Sequence, residues 1–98
     1  MHINIPHKLK SKADATAQAQ KFVADIKSKL GDKAQIEEER WEGDTLHFAV
    51  NAQGQRITGT LESTDAAFVL DAKLPLMLKF FEGRIEKMIE EQSKQMLG

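Results

Sequence analysis

The chain has 98 residues, 30% of them charged, with a formal net charge of -1. That balance excludes a global field that would draw in nucleic acid or an anionic membrane, and the length predicts a single domain over residues 1–98 with a modest core. Cysteine is absent, which removes disulfides, thiolate catalysis and the Cys-based zinc motifs together.

Met1 to Leu9 reads as a short strand, with Ile3, Ile5, His7 and Leu9 on one face and His2, Asn4 and Lys8 on the other. The same stretch lacks the basic region and apolar core of a signal peptide, so a cytoplasmic protein is expected. Pro6 cannot donate to a sheet ladder, which predicts an edge strand or an end to pairing there. Ser11 is a good N-cap and Asp14 suits the positive end of a helix dipole. A helix is therefore predicted from there to Leu30. Ala15, Ala19, Phe22, Ile26 and Leu30 mark its apolar face, with Val23 beside it, and Gly31 is placed for a C-cap.

Lys33 to Trp41 is polar and acidic, yet a strand is expected. Gly31 has ended the helix, Trp41-Glu42-Gly43-Asp44 is a turn signal, and a clear strand follows. Ile36 and Trp41 have opposite parity, so they share a face only across a bulge. Thr45 to Asn51 alternates, with Leu46, Phe48 and Val50 inward and His47 and Ala49 outward. Asn51-Ala52-Gln53-Gly54 is a turn. Gln55 to Glu62 and Ala66 to Lys73 continue the pattern, with Ile57, Gly59 and Leu61, then Phe68, Leu70 and Ala72, on one face. One-sided alternation in three successive runs predicts an antiparallel meander with one face on the core.

From Leu74 the spacing predicts one long helix running to Leu97, with Pro75 at its first position. Leu74, Leu78, Phe81, Ile85, Met88, Gln92 and Met96 recur along one face. Lys79, Arg84, Lys87 and Lys94 balance Glu82, Glu86, Glu90 and Glu91, so attraction to anionic lipid is weak. No apolar run approaches the ~20 residues of a membrane-spanning helix.

The order strand, helix, four strands, helix makes an α+β two-layer sandwich the economical fold. Both helices then cover one face of a five-stranded antiparallel sheet, the order of the TATA-binding-protein-like architecture. Its larger relatives include helix-grip ligand-binding domains, an analogy of fold that carries no function by itself.

Several pieces resemble the polyhydroxyalkanoic acid system, or granule-region, family of small bacterial proteins. They are Pro6-His7-Lys8-Leu9 before the alanine-rich helix, Trp41-Glu42-Gly43-Asp44-Thr45-Leu46-His47-Phe48, the strand around Gly59, and Leu76 to Glu86 ending in Gly83-Arg84-Ile85-Glu86. The resemblance covers nearly the whole chain, although Ala34 to Glu39 is more acidic than expected for that family. It implies a protein of storage-polyester metabolism or granules and supplies no catalytic residues.

The residues alone carry no catalytic motif. His7 and His47 fall on opposite faces, with no ligand spacing around them, so a hydrogen-bonded His7 and a solvated His47 are expected rather than a metal site. Glu37, Glu38, Glu39, Glu90 and Glu91 lie in polar runs without an apolar pocket, so general acid–base work is unsupported. No cofactor is implied. Trp41 either caps the core or anchors a partner. Leu76, Met77 and Phe80 give the last helix more apolar surface than one face needs, and Gly83 lets another backbone come close. The leading expectation is a non-enzymatic granule accessory protein, docking through Trp41, Leu76, Met77, Phe80 and Gly83 on a granule or on a second copy as a homodimer. The alternative is a small helix-grip-like domain that holds an acyl-type ligand in a cavity lined by Phe48, Leu61, Phe68, Leu70 and Met88.

Overall fold

A computed structural model describes residues 1–97, and for Leu30, Gln95, Met96 and Leu97 it describes no side chain. The places expected for Leu30 and Met96 on their apolar stripes therefore lie outside the described residues. The chain opens with β1 (His2–Pro6), shorter than the expected strand because pairing ends at Pro6. Helix α1 (Lys12–Leu30) follows, capped as its sequence requires. The Ser11 hydroxyl accepts from the Asp14 N–H at 3.1 Å. Gly31 has φ 51°, a left-handed value that an L side chain rarely adopts, and its N–H donates to the Lys27 carbonyl. A single 3-10 turn, Gly31–Lys33, leads into the sheet.

Strands β2 (Gln35–Glu42), β3 (Thr45–Ala52), β4 (Gln55–Ser63) and β5 (Ala67–Lys73) form an antiparallel meander. β1 adds to β5 from the other side, giving the order β1-β5-β4-β3-β2 with β1 and β2 at the edges. The register of β2 slips between Ile36 and Glu38. That bulge returns Ile36 and Trp41 to one face, where they pair with Val50 and Leu46.

The inner face carries Ile3, Ile5, Leu46, Phe48, Val50, Leu61, Phe68 and Leu70 in register. Ala15 and Ala19 of α1 are fully buried against Phe68, so the small residues let the helix lie close to the sheet. The architecture is the α+β two-layer arrangement. On the opposite face Ala49 is also buried, a methyl group set among His47, Asn51, Glu38 and Thr58.

The last helix is not continuous. It divides into α2 (Leu76–Lys79) and α3 (Glu82–Leu97), separated at Phe80-Phe81. The Phe81 N–H donates to the Leu78 carbonyl at 3.0 Å, a tightened three-residue step, and the ladder restarts where Ile85 N–H meets the Phe81 carbonyl at 2.9 Å. Two adjacent aromatic residues with Gly83 close behind are poor helix formers, and the local pattern yields there. Pro75 stands at the cap of α2 rather than inside a long helix, and Gly83 falls in the first turn of α3 rather than mid-helix.

Candidate functional site

Two features of the described residues stand apart from ordinary packing. The first is the exposed apolar ridge around α2. Leu74 is buried at the end of β5, but Leu76, Met77 and Phe80 are 74%, 67% and 83% exposed. Phe81, half exposed, adjoins them. Gly83 has nothing within 4 Å of where a Cβ would stand, so no backbone packs on it. Trp41 belongs elsewhere: it is partly buried against the cluster of Ala15, Ala19 and Phe68, in the β2 row that pairs with Leu46. The ridge thus gathers Leu76, Met77 and Phe80, while Trp41 caps the core.

The second feature is a cavity of about 280 Å³ between α1, α3 and the inner face of the sheet. Phe48, Leu61, Phe68, Leu70 and Met88 all line it. The space is partly open to solvent and its walls are almost wholly apolar, so it suits an apolar guest.

The rim was not legible in the sequence. Lys27 Nζ of α1 lies 2.8 Å from Glu39 Oε1 of β2, and both residues line the cavity. Lys29 Nζ donates to Gln92 Oε1 of α3 at 3.3 Å, and Gln92 lines it too. The first pair joins α1 to the strand that follows it and the second joins residues 63 apart, and no local spacing announces either. Helix α1 also contributes Phe22, Val23 and Ile26, the apolar stripe that the sequence shows.

The histidines sit apart. The His7 Nε2–H donates to the Thr64 carbonyl at 2.7 Å, and Nδ1 accepts from the Leu9 N–H at 3.1 Å. Its ring also lies 4.9 Å from that of Phe68. His7 is therefore a structural clasp between the end of β1 and the β4–β5 turn. His47 is half-buried on the outer face, 3.6 Å from Glu42. Among the described residues no three His, Asp or Glu side chains gather in a way that would hold a metal. No helix there is long and apolar enough to cross a membrane.

A protein-family model described as "putative polyhydroxyalkanoic acid system protein" matches residues 1–97. Comparison with curated proteins and with solved structures found no match.

Proposed function

Because the chain belongs to the polyhydroxyalkanoic acid system family, we propose that it is a non-enzymatic accessory protein that docks on the surface of storage-polyester granules in the bacterial cytoplasm. The observation that carries this reading is the ridge of Leu76, Met77 and Phe80, three large apolar side chains exposed together on one short helical turn. Scattered single apolar residues are ordinary on a surface, but a contiguous group of this size marks an interaction site. The polyester supplies a matching apolar surface. Helices α2 and α3 together carry balanced charge, so adsorption through the ridge is hydrophobic and persists in high salt.

Co-sedimentation with amorphous polyhydroxybutyrate particles tests it. The parent protein pellets, and Phe80→Glu and Leu76→Glu stay in the supernatant while remaining folded. A parent that stays soluble overturns direct docking. Sedimentation equilibrium run beside it decides whether the ridge instead joins two copies: a dimer that Phe80→Glu converts to monomer, with no pelleting, assigns the ridge to self-association.

A further inference from the structure

We propose that the cavity binds a medium-chain alkanoic acid, its carboxylate held at the rim by Lys27 and its chain running inward toward Phe68. This site is separate from the α2 ridge and stands or falls independently of granule docking.

Size sets the ligand's length. An apolar void of ~150 Å³ accepts a six-carbon ring, so a cavity of about 280 Å³ suits roughly ten carbons. The shape agrees. Ala19 is buried against Phe68 at the inner end, and Lys27 stands at the rim. The helix rises about 12 Å between them at ~1.5 Å per residue, close to an extended chain of that length.

The lining sets the ligand's chemistry. Inside, Phe48, Val50, Leu61, Leu70 and Ile89 offer no polar partner. A purely apolar cavity holds water poorly and takes an apolar guest. Polar side chains line it as well: Gln18, Gln92 and Ser93 along the helices, and the exposed Lys27, Glu38 and Glu39 where the cavity meets solvent. Lys27 already holds one carboxylate there, that of Glu39 at 2.8 Å. An ammonium has three donors, and a ligand carboxylate takes another of them. Lys29, tied to Gln92, is already paired with Asp25 at 3.2 Å and does not line the cavity, so the acid's partner is Lys27. The ligand is thus apolar along its length and acidic at one end. Glu39, on an edge strand, has room to turn into solvent as the ligand enters.

Titration of the full chain with decanoic acid, followed by calorimetry and by fluorescence of the single tryptophan, Trp41, tests the site. One molecule binds saturably and raises the thermal midpoint. Val50→Phe fills the cavity, weakens binding at least tenfold, and leaves pelleting with polyester unchanged. Phe80→Glu does the reverse. Lys27→Met weakens decanoic acid several-fold but leaves decanol as it was. Absence of saturable binding overturns the proposal, as does undiminished binding to a folded Val50→Phe. Equal affinity for decanol and decanoic acid, unaffected by Lys27→Met, overturns the carboxylate assignment. Hydrogen exchange of the parent reads the same site without any variant: decanoic acid slows exchange in α1 and α3 together, and unchanged exchange in both refutes cavity binding.

Discussion

The ring of Phe48 lies over Gly59 across the β3–β4 pair, with its Cζ 3.0 Å from where a Cβ on Gly59 would stand. The Cα of Ala72 on β5 is 2.9 Å from the same point, and the carbonyl oxygen of Asp71 is closer still. An added methyl group therefore meets backbone on one side and an aromatic ring on the other. Gly59→Ala is expected to lower stability by about 3 kcal/mol, at the upper end of overpacking costs. Urea denaturation measures it, and a loss below about 0.5 kcal/mol, the range of an ordinary surface change, refutes the account.

Much of this frame was legible because local chemistry and global fold agree. Ser11 and Gly31 cap α1 as their types require, and period-two alternation places Leu46, Phe48 and Leu61 on one face. The parity conflict between Ile36 and Trp41 pointed to a bulge, and the register slips between Ile36 and Glu38. What escaped was set by tertiary geometry. The apolar stripe from Leu74 to Met88 continues past Phe80-Phe81, but the backbone ladder does not. Periodicity reports which side chains share a face and says little about where hydrogen bonding is interrupted. Likewise Phe48 and Phe68 could be assigned to the interior, whereas Met88 borders the cavity yet is 59% exposed, and the Lys27–Glu39 rim depends on how α1 crosses β2.

Ser63 presents the opposite case to Gly59. Its side chain is 1% exposed on the inner face at the end of β4, and its Oγ has no hydrogen-bond partner. A buried hydroxyl without a partner costs about 1–3 kcal/mol in desolvation. Ser63→Ala removes that cost while giving up only a small volume. Its thermal midpoint is expected to equal or exceed the parent's, by a gain of up to about 1 kcal/mol. A clear loss would show that the hydroxyl has a partner in solution.

His7 holds two backbone groups at once, the Thr64 carbonyl and the Leu9 N–H. His7→Ala loses both bonds and the contact with Phe68, for about 2 kcal/mol at roughly 1 kcal/mol per net hydrogen bond. His7→Phe keeps the ring contact but leaves the carbonyl unmatched, and recovers only part of the loss. Zinc and chelator leave the parent's midpoint unchanged. A midpoint that rises with zinc would assign the imidazole to a metal instead.

The two large aromatic residues Phe80 and Phe68 should respond oppositely to truncation. Phe80 is 83% exposed and Phe68 is 7% exposed. Phe80→Ala is expected within about 0.5 kcal/mol of the parent, and Phe68→Ala about 3–5 kcal/mol below it. Chemical denaturation of the two variants checks the pair. A Phe80→Ala loss near that of Phe68→Ala would mean that the ridge is folded against the protein and has no free surface to offer a granule.

Helix α3 is expected to open before the sheet does. Four strand pairings tie β1 to β5 continuously, whereas α3 restarts after the break and borders a cavity along part of its buried side. Ile85 and Ile89 are only half-buried, and Ser93 satisfies its hydroxyl within the helix, donating to the Ile89 carbonyl at 2.8 Å. Few apolar contacts and exposed hydrogen bonds place an element at the low end of local stability. Native-state hydrogen exchange should therefore show the amides from Met88 to Ser93 exchanging through a local opening, at free energies well below those of Leu46, Phe48 and Leu61. The same ordering should hold in Ser63→Ala, because that site lies on β4 and raises the global term alone. Equal protection across α3 and β3 would mean that helix and sheet unfold as one unit, and that the space beneath α3 is closed in solution.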